Sequence, residues 1–442
     1  EDIAAHAPAP AEYGKRLLSA DAQALPREAV NAKLISLIAS GAVALGVLLS
    51  GFVIREPAPY EIYMAALIAV WALFGLRISP AIAPLATLLV LFNIGGMVAM
   101  TQMPEVLETP LYLAVSLFLG FTAVFYAAVT AARPQLLRPI FLAYAVSAVV
   151  TSLFGIAGYF RLFAGAEMFT RYDRAAGVFQ DPNVFGPFLV LPAIYLLHRL
   201  LTGPARHMPL VALPLLIVMT GIFLSFSRGA WGLFAASAVL LAGALFLQSL
   251  SGRFRLRMVV MSLVAIALVA LALIALLQIP GVADMLSLRA RLAQDYDSAR
   301  LGRFARYAIG FQLALEKPLG IGPLAFGQIY GEDTHNIWLK ALMDYGWLGF
   351  AAYLTLTVWT LAAGFRLLLR DRPWQPYLLC VYVVYAGHVG LGTFIDTDHW
   401  RHFYLLLGLV WGAIALEARH RRHRRPVFPH APPVGKTAAE FG

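Results

Sequence analysis

Apolar runs near the length at which an α-helix crosses the hydrocarbon core of a bilayer fill this chain from residue 32 onward. They fall near 32–54, 60–78, 81–101, 110–132, 136–158, 183–201, 209–226, 229–248, 256–279, 336–365, 374–395 and 403–417. Backbone in lipid must satisfy its own hydrogen bonds, so such runs fold as helices. The predicted class is all-α, a polytopic integral membrane protein with about 12 transmembrane helices. Composition points the same way: 60% hydrophobic and 13% charged side chains are more apolar surface than a soluble core of 442 residues hides.

Residues 1–30 are polar and Pro/Ala-rich, with Lys15, Arg16 and Arg27, and show no small-residue cleavage site after a short apolar region, so the first span is expected to be an uncleaved signal anchor. The one cysteine, Cys380, falls in an expected span, which leaves no intrachain disulfide. A net charge of +10 raises nucleic acid as a partner, but the basic residues come in small groups between apolar runs, not along one soluble face, and no nucleic acid is expected.

Alternation explains most of that charge. Lys and Arg gather in every second connection, at Arg77, Arg133 and Arg138, Arg199 and Arg206, 253–257, 366–372 and the tail, whereas 55–59 and 102–109 hold only Arg55. The positive-inside rule then makes both termini cytoplasmic. The tail sequence RHRRHRRP reads as an anchor for anionic headgroups. The organisation expected is a cytoplasmic segment 1–30, helices 1–9 over 31–279, an outward loop 280–335, helices 10–12 over 336–417 and a basic cytoplasmic tail 418–442.

Two outward segments break the charge pattern: 159–182 with Arg161, Arg171 and Arg174, and 280–335 with Arg289, Arg291, Arg300, Arg303, Arg306 and Lys317. Within the second, 301–315 places apolar residues at helical spacing with Arg303 and Arg306 on one face, which predicts an amphipathic helix on the outer leaflet. KPLGIGPLAFG follows and predicts a tight turn bringing backbone close to a ligand.

Arginines at a membrane edge usually meet an anion, and the guanidinium fork suits phosphate oxygens. Headgroup contact accounts for Arg55, Arg291 and Arg300. Arg228 differs: in FLSFSRGAWGLF it sits between two spans with almost no loop, where an arginine is a functional candidate by default. RYDRAAGVFQDPNVFGPF combines Arg174 and Gly177 with a turn in which Asp181 or Asn183 caps the next helix. His335 precedes a long apolar helix, whose positive dipole end is expected to keep it neutral and fit to accept a proton. Asp396-Thr-Asp398-His399 resembles an acidic pair that holds a divalent ion, and Glu332-Asp333 lies near His335 in sequence; each is a weak signal on its own, Asp-X-Asp is common by chance, no His/Cys zinc spacing occurs, and no metal or other cofactor is expected.

Taken in order, Ser227-Arg228-Gly229, Arg303 with Tyr307, Pro318-Leu-Gly-Ile-Gly, and His335-Asn336 with Leu339, Leu342, Asp344, Gly346 and Gly349 resemble the O-antigen ligase/polymerase superfamily. Arg174, Gly177 and Pro182-Asn183 are similar to an earlier motif of it, so the likeness covers about 170–350. Asp344 stands where the family often has Glu, and Tyr307 where Trp is frequent. The resemblance implies a GT-C-like membrane glycosyltransferase of the bacterial inner membrane with a periplasmic active site, moving a glycan from undecaprenyl pyrophosphate to lipid A core, with inversion and without metal. It implies His335 as general base, with Arg228 and Arg303 as catalytic arginines. The donor pyrophosphate would be held by Arg228 and Arg303 with Arg161, Arg174 or Arg306, supported by Asn183, Asn336 and Asp344. A polymerase, which uses a second undecaprenyl-linked glycan as acceptor, is the alternative. A secondary transporter fits less well, because the charges cluster at one surface and not at the bilayer midplane.

Overall fold

The computed structural model describes residues 27–106, 108–290 and 302–424. The lead before residue 27, the tail after 424, and Arg291 and Arg300 lie outside the described residues. In chain order the helices are α1 (Arg27–Leu49), α2 (Pro59–Leu73), α3 (Ala83–Met100), α4 (Thr109–Ala132), α5 (Leu137–Tyr159), α6 (Pro182–Phe188), α7 (Val190–Thr202), α8 (Met208–Leu224), α9 (Arg228–Gln248), α10 (Gly252–Leu276), α11 (Pro280–Ala290), α12 (Arg303–Glu316), α13 (Ala325–Tyr330), α14 (Ile337–Met343), α15 (Gly346–Leu368), α16 (Gln375–Leu391) and α17 (Arg401–Arg424). The named strands among the described residues are β1 (Thr170–Arg171) and β2 (Arg174–Ala175), an antiparallel hairpin turned by Tyr172 and Asp173 at positive φ.

Nine helices among the described residues are long and apolar enough to cross a membrane. The protein is an all-α polytopic membrane protein. Three further runs expected to span fold as the helices α2, α10 and α16, with 15, 25 and 17 residues. From Ala44 onward the described residues pack as one unit. Its centre is α17 lying along α4, and these spans are 83% and 72% buried. In α9 the buried residues Ala230, Leu233, Ser237, Leu241 and Leu245 recur every three or four positions, so one stripe packs inward and the remaining apolar surface is left for lipid.

Contacts join three of the basic connections. Arg257 donates to the carbonyls of Leu200 and Gly203 at 3.2 and 3.1 Å, and Gln248 donates to that of Leu368 at 3.2 Å. The basic connections after α7, α9 and α15 therefore meet at one face.

One expected span changes. The run 336–365 is broken into α14 and α15. Gly346 takes φ +65, and a Cβ there would meet the Leu319 carbonyl at 2.6 Å. The glycine-rich segment after Lys317 fills this break: Ile321 N–H donates to Met343 O at 2.8 Å and Trp347 N–H to Pro318 O at 3.0 Å. Its close backbone approach is to α14 and α15. The helix long and apolar enough to cross a membrane begins at Gly346, after α14.

Candidate active site

The turn between α8 and α9 has three residues, and its own side chains satisfy it. Ser225 Oγ donates to Ile222 O at 2.6 Å and accepts from Ser227 N–H at 3.3 Å, while Ser227 Oγ accepts from Ala230 N–H as the N-cap of α9. Phe226 is forced to φ +45, a region costly for a bulky residue. The outcome is that Arg228 becomes the first residue of α9, half-buried at its mouth.

The hairpin segment supports this turn from the side. Arg174, buried, donates Nε–H to Ser225 O at 2.7 Å and Nη2–H to Asn183 Oδ1 at 2.8 Å. Asp181 caps α6 by accepting from Asn183 N–H at 2.7 Å. Gly177 at φ +55 lies where a Cβ would strike the Thr151 carbonyl at 2.7 Å, which fixes the strand against α5. Arg174 thus braces backbone, and Arg161 stands exposed in the preceding loop.

On the other side, α12 buries Arg306, Gly310 and Ala314, four residues apart, and Gly310 and Ala314 pack on Leu339, Leu342 and Met343 of α14. Phe304, Phe311 and Leu315 are exposed, so a second apolar stripe faces outward, as a helix at a membrane surface requires. Arg306 Nη1 reaches Glu332 Oε2 at 2.6 Å and Asp333 O at 3.0 Å, holding the loop that carries His335. Asn336 caps α14 by accepting from the N–H groups of Trp338 and Leu339 at 3.0 and 3.1 Å. His335, one residue outside the helix at φ +51, has Nε2 3.0 Å from Glu332 Oε1 and Nδ1 3.7 Å from Asp396 Oδ2.

The histidine's expected electrostatics are reversed. Asp396 foremost, opposed by burial and aided by Glu332, raises His335 above its ordinary 6.5. Asn336 already occupies the helix-end amides, and two carboxylates at 3.0 and 3.7 Å outweigh the partial charge of a seven-residue helix. Burial opposes ionisation of Glu332, but hydrogen bonds from His335 and Arg306 hold it below the usual carboxylate range.

These elements enclose a cavity of about 1160 Å³. Arg228, Arg303, His335, Glu332, Asp396 and Asn183 line its polar end. An apolar arm continues between α9, through Gly232, Leu233, Ala236 and Leu240, and α16, through Gly387, Gly390 and Leu391. From Arg228 to Leu240 the arm follows α9 for about 18 Å at 1.5 Å per residue. Of the candidates, the structure brings Arg228, Arg303, His335 and Asn183 to one cavity. It sets Arg161, Arg174, Arg306, Asn336 and Asp344 outside that lining, the middle three with the supporting contacts described above. Asp344 is fully buried at the α14–α15 break, and burial raises its carboxyl well above the usual range.

A residue that the sequence reading passed over sits behind His335. Lys340, with a 4% exposed side chain, places Nζ 3.6 Å from Asp398, 3.8 Å from Asp396 and 4.0 Å from Asp333. Among the described residues no group of three or more His, Cys, Asp or Glu is arranged to hold a metal ion. The lysine itself occupies the middle of the acidic group considered for one. Its signal was a charge inside the apolar run IWLKALM, since a buried ammonium requires carboxylate partners.

Polar chemistry at the head of a long apolar arm narrows the field to amphiphilic substrates, and comparison with known proteins narrows it further. Residues 213–354 match the family described as O-antigen ligase. About a third of the chain is therefore similar to the O-antigen ligase family, which supports membership of that superfamily. The match supports a membrane enzyme of the ligase and polymerase type. The matched O-antigen ligase segment runs from α8 into α15 and holds Arg228, Arg303, His335 and Lys340; the Arg174–Asn183 brace precedes it. No curated protein matches the chain.

Proposed function

We propose that the protein is an O-antigen ligase that moves a polysaccharide from undecaprenyl pyrophosphate to a sugar of lipid A core on the periplasmic side of the inner membrane. The observation that carries this reading is the single cavity joining Arg228, Arg303 and His335 to the apolar arm between α9 and α16. A polyprenyl donor needs both parts: an apolar track for its tail and fixed cations where its phosphates sit. A cavity above the usual 300–1,000 Å³ of small-molecule sites suits a lipid with a sugar attached.

In this mechanism the acceptor hydroxyl oxygen attacks the anomeric carbon as the bond from that carbon to the phosphate oxygen breaks, and the pyrophosphate leaves with the bonding pair. Arg228 and Arg303 bind the negative charge growing on the leaving group, and direct displacement inverts the carbon. The hydroxyl proton passes to His335 Nε2 once the entering acceptor has taken the place of Glu332 at that nitrogen, the neutral ring then holding its one proton on Nδ1 toward Asp396. The anionic donor is drawn toward the arginines and away from Glu332 and Asp396, which leaves the base for the neutral hydroxyl. Fixed guanidinium groups fill the role that a divalent ion has elsewhere.

The test is reconstituted transfer in chelator from undecaprenyl-pyrophosphate glycan to lipid A core, comparing wild type with His335→Ala. Product on lipid A core from wild type only is expected. Lengthened undecaprenyl-linked glycan would make the protein a polymerase, and no product of either kind would return the question to transport.

A further inference from the structure

The proposed base is the exposed edge of a buried ionic cluster that the mechanism above leaves unused. His335 lies between two carboxylates, each backed by a buried cation. On its Nε2 side stands Glu332, whose other oxygen is 2.6 Å from Arg306, with a 4% exposed side chain. On its Nδ1 side stands Asp396, and here one oxygen serves two partners: Asp396 Oδ2 is 3.7 Å from His335 Nδ1 and 3.8 Å from Lys340 Nζ. Asp396 Oδ1 has no hydrogen-bond partner among the described residues, so Oδ2 carries the contacts that orient the group.

Lys340 is itself fixed from behind. Asp398, 3.6 Å from Nζ, accepts from Tyr112 Oη at 2.7 Å and lies 3.1 Å from His399 Nδ1, while His399 Nε2 is 3.1 Å from Tyr112 O. Burial disfavours the charges of both members, but their mutual attraction holds Asp398 below the usual carboxylate range and Lys340 above the usual amine range. A buried ion cluster is a poor way to gain stability, since well-packed apolar residues do as well or better. This one touches the cavity through Asp396, which lines it beside His335.

We propose that Lys340 is a positioning residue for glycan transfer: through the shared oxygen of Asp396 it fixes the His335 ring and offsets the negative charge gathered around it. The proposal rests on His335 as the base. The charged groups facing that ring are Glu332 and Asp333 from its own loop, Arg306 and Arg303 from α12, Arg228 from α9, and Asp396. Removing Lys340 leaves Asp333, Asp396 and Asp398 uncompensated, so His335 keeps its proton to higher pH and is unable to accept another.

The test uses the full chain in vesicles and reads kcat and donor KM for transfer against pH. Lys340→Met should lower kcat about tenfold near neutrality with donor KM within about twofold, and move the acid limb upward by about one unit, which amounts to about 1.4 kcal/mol between protonation states. Lys340→Arg, which keeps the charge, should leave the limb near its wild-type position. If Lys340→Met does not fold, the double variant K340M/D398N removes one charge of each sign and should show the same upward limb, because Lys340 shares an oxygen contact with His335 and Asp398 does not. An unshifted limb in these variants, with His335→Ala inactive, overturns the role of Lys340, including the case of a lowered rate without a shift. A fully active His335→Ala instead overturns the base itself, so the two failures are distinct.

Discussion

Two ionic clusters stand near opposite ends of this protein, and they are built to opposite rules. Around His335, four carboxylates (Glu332, Asp333, Asp396 and Asp398) share two buried cations, Arg306 and Lys340, and the cluster opens on the cavity. Around Glu417, one buried carboxylate meets three guanidinium groups: Arg370 at 2.6 Å, Arg372 at 2.7 Å and Arg421 at 3.1 Å. Those arginines are 36%, 19% and 54% exposed and lie at the basic face. In the reaction proposed here, buried cations with a surplus of carboxylate would hold the reactive group in place. Exposed cations with a surplus of their own anchor helix ends to one another and to anionic headgroups.

The largest effects should follow from breaking the first cluster where it meets the cavity. His335→Ala is expected to cost about 10²–10⁴-fold in transfer at normal expression, the range of a general base. Arg228→Ala and Arg303→Ala should each cost about 10²–10³-fold, mainly in kcat, and lysine replacements should recover little because the paired donors of the fork are lost. Retained activity in either alanine variant would remove the pyrophosphate clamp and with it the functional half of the comparison.

Acidity separates the clusters next. Since Asp396 and Glu332 raise His335 above 6.5, transfer should climb as pH rises through that raised value and the ring loses its proton. Stability runs the other way. A group whose folded value is raised contributes most below its unfolded value, so the stabilisation from charged His335 is full below about 6.5 and fades over the window in which transfer climbs. Rate and thermal unfolding measured on one pH series check both signs. A transfer rate flat above pH 6 would break the argument.

How far the sequence already showed this contrast depends on how local each contact is. The expected runs fold as helices, Arg228 lies at its turn and the helix predicted at 301–315 appears as α12, because these follow from periodicity and neighbouring residues. What stayed hidden are pairings across long stretches of chain: Arg174 with Ser225 over 51 positions, and Tyr112 with Asp398 over 286. Without them Arg174 and Arg306 read as phosphate ligands, the pair Asp396 and Asp398 as a weak metal site, and His335 as depressed by its helix. A buried charge in one segment fixes that a partner exists, but only the fold says which one.

Arg174→Ala, a variant of the brace and not of either cluster, should act mainly on stability. It leaves Ser225 O and Asn183 Oδ1 short of a buried charged donor, a loss of about 1.5–3 kcal/mol that thermal unfolding in detergent reports. Transfer should fall with the folded fraction.

The smallest effect is expected at Glu417, although its contacts are short. Glu417→Gln removes the negative charge from beside three arginines, two of which Glu417 meets at 2.6 and 2.7 Å, closer than any contact Lys340 makes. Distance alone would make this change more damaging than one at Lys340. Exposure argues otherwise: Arg370 and Arg421 are free to turn toward water or headgroup phosphates, and the glutamine keeps its carbonyl acceptor in nearly the same volume. Lys340 has no such exit, because its side chain is 4% exposed and ringed by carboxylates. Transfer by Glu417→Gln is therefore expected within about twofold of wild type, as for other partly exposed ion pairs. A loss of transfer approaching that of Lys340→Met would mean that the two ends are coupled along α17, and that burial of the cation does not separate the cluster that performs chemistry from the one that holds helices together.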